Sequence, residues 1–240
     1  MSIISPPVSP GEAVASQPSK ERHSRTVIPL NLTKDVERAS KCLDKAFADS
    51  PANDYLMKKF FNVSVREPCS KARVNSMLKY FLHLYDDFGA EIVEANGFDA
   101  VAVWTTPKSH FHQNETNDAK FNDIFFTNLG RVTKSLIPEG VDYYYLFIIG
   151  KDLTHPEIRG SVRAIFDAYK KRADAENCAM VLEAISEKAK SVYEYFGFKN
   201  YLDFSFGQNE VDSNGNYDPN GEGFNAHLMI YYKNEIPGAI

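Results

Sequence analysis

The chain has 240 residues, of which 43% are hydrophobic, and its formal net charge is -5. This length suits one well-packed domain with a terminal tail and is short for two domains. Because acidic and basic residues are interspersed and the net charge is negative, neither a nucleic-acid partner nor an anionic membrane is expected. The apolar runs are shorter than a bilayer span, and the first residues lack signal-peptide features. We therefore expect a cytoplasmic protein, a monomer or homodimer, whose partners are small molecules or proteins.

The residue types that bind metals show no ligand spacing. Cys42, Cys69 and Cys178 are odd in number and form no CxxC pair, so we expect three free thiols. His110 and His112 lie two residues apart in a polar segment without a neighbouring cysteine or carboxylate pair. The sequence predicts no metal centre.

The first third of the chain is predicted to hold a tail, a short strand and three helices. Residues 1–25 are rich in serine and proline and should be disordered, so the folded domain is placed at residues 26–240. Residues 26–30 alternate weakly, as in a strand, and Asn31 or Thr33 can cap the first helix. Further helices are predicted at residues 55–61 and 71–87 from their apolar periodicity.

A β-hairpin and another helix are predicted next. Residues 90–95 and 98–105 are strand-like, and Asn96-Gly97 between them is the strongest short-range signal for a tight hairpin turn. Residues 108–140 begin polar and then carry an apolar pattern from Phe121 to Leu129. This pattern predicts one helix lying over the sheet.

The stretch from Tyr143 to Ala164 predicts a strand, a loop and the start of a helix. Residues 143–149 are uncharged and rich in aromatic and β-branched types, which suit a strand buried on both faces. The loop ends in Arg159-Gly160-Ser161, so the helix at residues 161–176 begins with free backbone N–H groups beside a cation and a hydroxyl. Such a helix start can hold phosphate; the alternative is an ordinary strand-to-helix connection.

The last part of the chain alternates strands with one helix. A strand is predicted at residues 179–184 and a helix at residues 186–196. Residues 201–208 and 224–232 are strand-like and flank a loop of asparagine, aspartate, glycine and proline. The order of elements indicates a mixed α/β protein.

Three segments resemble the GNAT acetyltransferases, and within them the puromycin N-acetyltransferase type. AVAVWTTP at residues 100–107 is similar to the end of that family's third strand, and KCLDKAFADSPA at residues 41–52 to its first helix and the following turn. VLEAISEKAKSVYEYFGF at residues 181–198 resembles the fifth strand, the next helix and the Tyr-x-x-x-Gly-Phe ending found across the superfamily. The resemblance covers about residues 26–232.

The resemblance implies a mixed α/β GNAT fold, in which a mostly antiparallel twisted sheet has helices on both faces and its fourth and fifth strands splay apart. It also implies an enzyme that transfers the acetyl group of acetyl-CoA directly to a primary amine of a small molecule in a ternary complex. In the family, the fourth strand pairs with pantetheine and a glycine-rich loop wraps the pyrophosphate. These cofactor-binding roles carry over to Phe147, Ile148 and Ile149 of the strand and to Arg159, Gly160, Ser161, Val162, Arg163 and Ala164 of the loop.

One residue of this loop departs from the family pattern. Val162 stands where the family has glycine, and a β-branched side chain disfavours positive φ and hinders close backbone approach. The valine therefore permits a second interpretation. In it the protein keeps the GNAT fold but, because its cofactor loop is altered, acts as a non-catalytic binding or regulatory module.

Two residues are predicted to carry the chemistry. The resemblance places the general acid at Tyr193, since a phenol is a neutral proton donor at pH 7; the alternative is a core tyrosine. Glu183 ends its strand and would face the splay, where it deprotonates the amine directly or through water. The alternative for Glu183 is a surface or helix-capping carboxylate.

Four further residues are weaker candidates. His155 and His227 are possible bases, although lone histidines are more often structural. Trp104 and Tyr145 are expected to pack a core or to wall a substrate pocket.

Overall fold

A seven-stranded sheet runs through the residues that the computed structural model describes, which are 27–109, 115–234 and 236–240. The predicted tail at residues 1–25 lies outside these ranges, as do His110 and His112. The strands are β1 (Leu30–Leu32), β2 (Glu91–Ala95), β3 (Ala100–Thr105), β4 (Tyr143–Lys151), β5 (Ala179–Ala184), β6 (Lys199–Phe206) and β7 (Phe224–Tyr231). Their order is β1-β2-β3-β4-β5-β7-β6, and every neighbouring pair is antiparallel except β4 and β5, which are parallel.

Helices cover both faces of this sheet. The helices are α1 (Val36–Ala46), α2 (Pro51–Phe60), α3 (Lys71–Asp87), α4 (Ala119–Asn122), α5 (Leu129–Leu136), α6 (Ser161–Glu176) and α7 (Glu187–Tyr195), with a π-helical segment at Asp123–Asn128 between α4 and α5. One face packs against α6 and α7 through a core that includes Trp104 and Phe166. On the opposite face, α1 and α3 pack over β3 while α5 packs over β5 and β7. The predicted mixed α/β architecture, a mostly antiparallel sheet with helices on both faces, is confirmed.

The sheet opens between its two parallel strands. Pairing of β4 with β5 extends over three residues only and ends at Tyr145, which is opposite Val181. Beyond this point β4 stays paired with β3, whereas β5 stays paired with β7. The predicted splay of the fourth and fifth strands is therefore present, and it begins at Tyr145.

A β-bulge lies in β4 next to the splay. Val103 of β3 is opposite Ile148, but the next residue, Trp104, is opposite Leu146, so Phe147 is the extra residue. A bulge of this kind disrupts the ladder locally and bends the strand. Tyr145 and Phe147, two residues apart on β4, contact the same cavity.

The prediction that β4 is buried on both faces was wrong. Tyr144, Leu146 and Ile148 are buried, but the residues between them are partly exposed. The reason is that the partly exposed side chains also line cavities.

Several element boundaries differ from those predicted. The hairpin between β2 and β3 has a four-residue loop, because Ala95 pairs with Ala100; Asn96, Gly97 and Phe98 all have positive φ. The first strand lies at Leu30–Leu32, where Leu30 pairs with Ala95. Asp35, rather than Asn31 or Thr33, caps α1, because its side chain accepts the Arg38 N–H.

Three further expectations concern thiols, membranes and metals. Cys42, Cys69 and Cys178 are free thiols, as predicted. Among the described residues, no helix has both the length and the apolar character needed to span a bilayer. In the same residues, no group of three or more potential ligands could hold a metal ion.

Candidate active site

Two cavities meet at the point where β4 and β5 separate. The first, which we call the strand cleft, has a volume of about 480 Å³ and is lined by β4, the end of β5, Val162 of α6 and one side of α7. The second, which we call the aromatic cavity, has a volume of about 530 Å³ and lies toward α5 and the π-helical segment. Five residues line both: Phe60, Phe125, Tyr145, Phe147 and Glu183.

Glu183 lies at this junction. It occupies the part of β5 beyond the last pair with β4, and its Oε2 accepts a hydrogen bond of 2.7 Å from the Tyr145 hydroxyl. Burial raises the pKa of the Glu183 carboxyl from 4.5 to about 7, although the Tyr145 hydrogen bond lowers it. At neutral pH this carboxyl can therefore exchange a proton with a bound molecule. The alternatives of a surface or helix-capping role do not match its position.

Tyr193 lies on the other side of the junction. It belongs to α7, lines the strand cleft, and packs edge-on against Phe166 with ring centroids 5.8 Å apart. Burial, together with the negative charge of Glu183, raises the pKa of the Tyr193 phenol above its usual value. The hydroxyl is therefore protonated at neutral pH. Tyr193 therefore packs against the core, as one interpretation of the sequence expected, and also faces the cleft; its role as the general acid stays a prediction.

Tyr145 is a site residue whose role the sequence did not reveal. We expected it to pack a core or wall a pocket, and it does line both cavities. Its hydrogen bond to Glu183, however, joins residues 38 positions apart. Only the parallel register of β4 and β5, which pairs Tyr145 with Val181, brings the two side chains together.

The first turn of α6 offers backbone donors next to the strand cleft. Gly160 caps the helix with φ of +96°, and a side chain there would also come within 2.8 Å of Ile28 Cδ1. The first amides of an α-helix have no carbonyl partner within the helix. Ser161 is fully buried, and its hydroxyl has no hydrogen-bond partner among the described residues.

The predicted loop residues do not all face the strand cleft. Val162 lines it. Arg159, Gly160, Arg163 and Ala164 instead line a separate depression of about 430 Å³, together with Ile28 and Asn96. Arg163 also places its guanidinium 4.8 Å from the centre of the Tyr195 ring.

The donor set near the cleft fits acetyl-CoA. Past Tyr145, no strand of the described residues pairs with β4 on its β5 side, so the backbone of Phe147, Ile148 and Ile149 lies along the cleft. The first turn of α6, whose Val162 lines this cleft, would hold an anionic group with its free backbone N–H groups. Lys188 of α7 lines the same cleft and adds a positive charge that the sequence did not single out.

The remaining candidates lie outside the junction. His155 is exposed beside Glu157, with 3.3 Å between Nδ1 and Oε1. His227 is buried on β7, where its Nδ1 is 2.6 Å from Asp203 Oδ1. Neither histidine lines the cleft or the aromatic cavity. Trp104 is fully buried and stacks on Tyr169, with 4.7 Å between centroids, as expected of a core residue.

The chain matches a family model and curated relatives in sequence. A family model described as the YOR012W acetyl transferase domain matches residues 31–110. The chain is 53% identical over 208 residues to the uncharacterized protein YDR391C of Saccharomyces cerevisiae, a match that covers 86% of this chain and 88% of the relative.

Solved structures with the same fold are distant in sequence. The C-terminal condensation domain of Ebony, in complex with β-alanyl-dopamine, matches with a TM-score of 0.54 at 11% identity, over 85% of this chain and 98% of that one. Agmatine N-acetyltransferase, as a variant in its apo form, matches with a TM-score of 0.51 at 12% identity, over 86% and 99%. The narrower resemblance to the puromycin N-acetyltransferase type stays a prediction. The chain belongs to the family of the yeast proteins YDR391C and YOR012W, and it has the GNAT fold.

Proposed function

We propose that the protein is an N-acetyltransferase that transfers the acetyl group of acetyl-CoA to a primary amine of a small molecule, directly and within a ternary complex. The observation that carries this proposal is the position of Glu183, whose carboxyl lines both cavities where β4 and β5 separate. A donor in the strand cleft and an acceptor in the aromatic cavity would meet at this residue.

Glu183 acts as the general base. An amine must be neutral to attack a carbonyl, and a base is most effective when its pKa lies near the working pH. Burial places the pKa of Glu183 at about 7, so roughly half of the carboxyl groups are ionised at neutral pH. The Tyr145 hydroxyl, at 2.7 Å, orients the carboxylate.

Tyr193 acts as the general acid. Acetyl-CoA, when bound, supplies the thioester carbonyl that is attacked and the sulfur that leaves. The reaction forms an N–C bond and breaks a C–S bond; one proton passes from the amine to Glu183, and one passes from the Tyr193 hydroxyl to the sulfur. Proton exchange with solvent then restores both residues. Backbone groups of Phe147, Ile148 and Ile149 and the first turn of α6 would hold the cofactor.

The second candidate function, a non-catalytic binding or regulatory module, depends on Val162. The structure removes one of the two reasons for it. Positive φ in this loop falls at Gly160, whereas Val162 lies within α6 and has a negative φ. The second reason stays, because the Val162 side chain forms part of the cleft wall.

The test is acetyl-CoA binding by calorimetry, followed by release of free CoA with a panel of primary amines. The proposal expects micromolar binding and turnover that falls by at least about 100-fold in Glu183→Gln. The matched control is Glu139→Gln, which changes an exposed carboxylate outside both cavities and should leave turnover unchanged. No binding at millimolar acetyl-CoA would instead favour the non-catalytic module.

A Val162→Gly variant tests the loop itself. If the valine side chain limits approach of the cofactor, the variant should bind acetyl-CoA more tightly than the wild type. Unchanged affinity would show that the cleft wall at this position does not restrict the cofactor.

A further inference from the structure

We infer that the acceptor is an aromatic primary monoamine, in which a ring is joined to the amino group by a short alkyl chain. This inference rests on the proposed function and adds the class of substrate to it.

The first reason is the lining of the aromatic cavity. Seven of its lining residues are aromatic, among them Phe60, Tyr85, Phe126 and Phe147. Tyr85 and Phe147 stack with centroids 4.1 Å apart, and Phe60 stacks on Phe126 at 6.5 Å. Aromatic side chains favour an aromatic ligand over an aliphatic one of equal area, because rings add edge-to-face or offset contacts.

The second reason is the π-helical segment. A π-helical turn is wider than an α-helical one and is frequent at functional sites. Here two consecutive residues, Phe125 and Phe126, line the same cavity. The segment thus presents two rings to a ligand in that cavity.

The third reason is the distribution of charge. Among the described residues the cavity is lined by two carboxylates, Asp142 and Glu183, and by no lysine, arginine or histidine. Asp142 is exposed, and it lies three residues before Tyr145, the partner of Glu183. Three residues of strand span about 10 Å. A cation is therefore attracted at the mouth, loses one proton to solvent, and meets Glu183 at the inner end as the neutral amine.

The same features disfavour two other classes of amine. A polyamine carries several cations along an apolar chain, whereas the lining between Asp142 and Glu183 is uncharged. A cavity of about 530 Å³ lies in the range that holds a single small ligand, so a protein substrate could insert only a terminus or one lysine side chain.

The first experiment compares acceptors with the full chain and saturating acetyl-CoA, with free CoA as the readout. The probes are 2-phenylethylamine, hexylamine, spermidine and a short peptide with a free N-terminus. We expect kcat/KM for 2-phenylethylamine to exceed that of each other probe by at least about tenfold. Equal or better use of hexylamine, spermidine or the peptide would overturn the inference and leave the acetyltransferase proposal intact.

The second experiment uses variants. Phe126→Leu keeps an apolar side chain but removes one ring, and should lower kcat/KM for 2-phenylethylamine about fivefold while hexylamine changes less than twofold. The matched control is Tyr217→Leu, which removes a half-exposed ring outside both cavities and should change neither value. Equal losses for both amines in Phe126→Leu would contradict the role of the ring.

Calorimetry separates the two proposals. The amines are titrated into Glu183→Gln, which should bind them without turning them over. Preferential binding of 2-phenylethylamine without turnover of any amine by the wild type would support the selectivity of the cavity for an aromatic amine and count against the acetyltransferase. Turnover without that preference would do the reverse.

Discussion

Replacement of Glu183 by glutamine should stabilise the protein in a way that depends on pH. Burial raises the pKa of this carboxyl from 4.5 to about 7. At about 1.4 kcal/mol per pKa unit, ionisation of Glu183 costs the folded state about 3 kcal/mol relative to the unfolded chain. Below pH 4.5 the carboxyl is protonated in both the folded and the unfolded chain, so the folded protein has its full stability. This stability is lost as the pH rises through about 7, because ionisation is harder in the folded state than in the unfolded chain. Glutamine cannot ionise, so the variant avoids this loss.

The measurement is thermal or denaturant unfolding of wild type and variant at pH 5 and pH 8. At pH 5 the two should have nearly equal free energies of unfolding. At pH 8 the variant should be more stable by about 3 kcal/mol, or roughly 6–12 °C in Tm for a chain of this size. The variant should gain free energy of unfolding at pH 8 and lose turnover together, because the buried carboxylate that lowers stability is also the proposed general base.

The control is Glu139→Gln, in which an exposed carboxyl is replaced and no gain is expected at either pH. A stability difference between wild type and Glu183→Gln that is independent of pH would refute the reasoning. So would a Glu183→Gln variant that is less stable than the wild type at pH 8.

Three further predictions follow from neighbouring features. Tyr145→Phe removes the hydrogen bond that lowers the pKa of Glu183, so the acid limb of the kcat/KM profile should move about one unit higher in pH; an unmoved limb would contradict the role of Tyr145. Tyr193→Phe should lower kcat at least about 100-fold with little change in the KM for acetyl-CoA, and full turnover in steady-state assays would exclude it as the acid. Gly150→Ala would bring a Cβ within 2.6 Å of Ala46 Cβ and should cost about 1–3 kcal/mol in a denaturant melt. The control is Gly130→Ala, whose Cβ would meet no atom within 4 Å and which should not lower the free energy of unfolding.

The elements that could be predicted from the sequence are those set by local signals. The helices at Lys71–Asp87 and Ser161–Glu176 and the strand at Ala179–Ala184 have the predicted bounds. In the first of these, Ser70 caps the helix by accepting the Arg73 N–H, which is a local interaction. Periodicity and capping act over a few residues and are therefore visible in a single sequence.

The features that could not be predicted depend on pairing between distant segments. The first strand was predicted at residues 26–30 but lies at Leu30–Leu32, because that segment pairs with β2. The helix expected at residues 108–140 contains a π-helical segment, Asp123–Asn128, that no spacing rule indicates. At the site, Glu183 and Tyr193 could be singled out, but the contact between Glu183 and Tyr145 arises from the register of two parallel strands.

The short pairing of β4 with β5 also bears on solubility. An unpaired strand edge is a template for the addition of other chains, and proteins usually protect such edges. Here the edge lies inside the molecule, beyond Tyr145, where α7 and the loop after β4 border it. Any opening of α7 would expose backbone donors and acceptors of an apolar strand. A ligand that lies along this edge would close it as an added strand, so saturation with such a ligand should slow aggregation during heating as well as raise Tm.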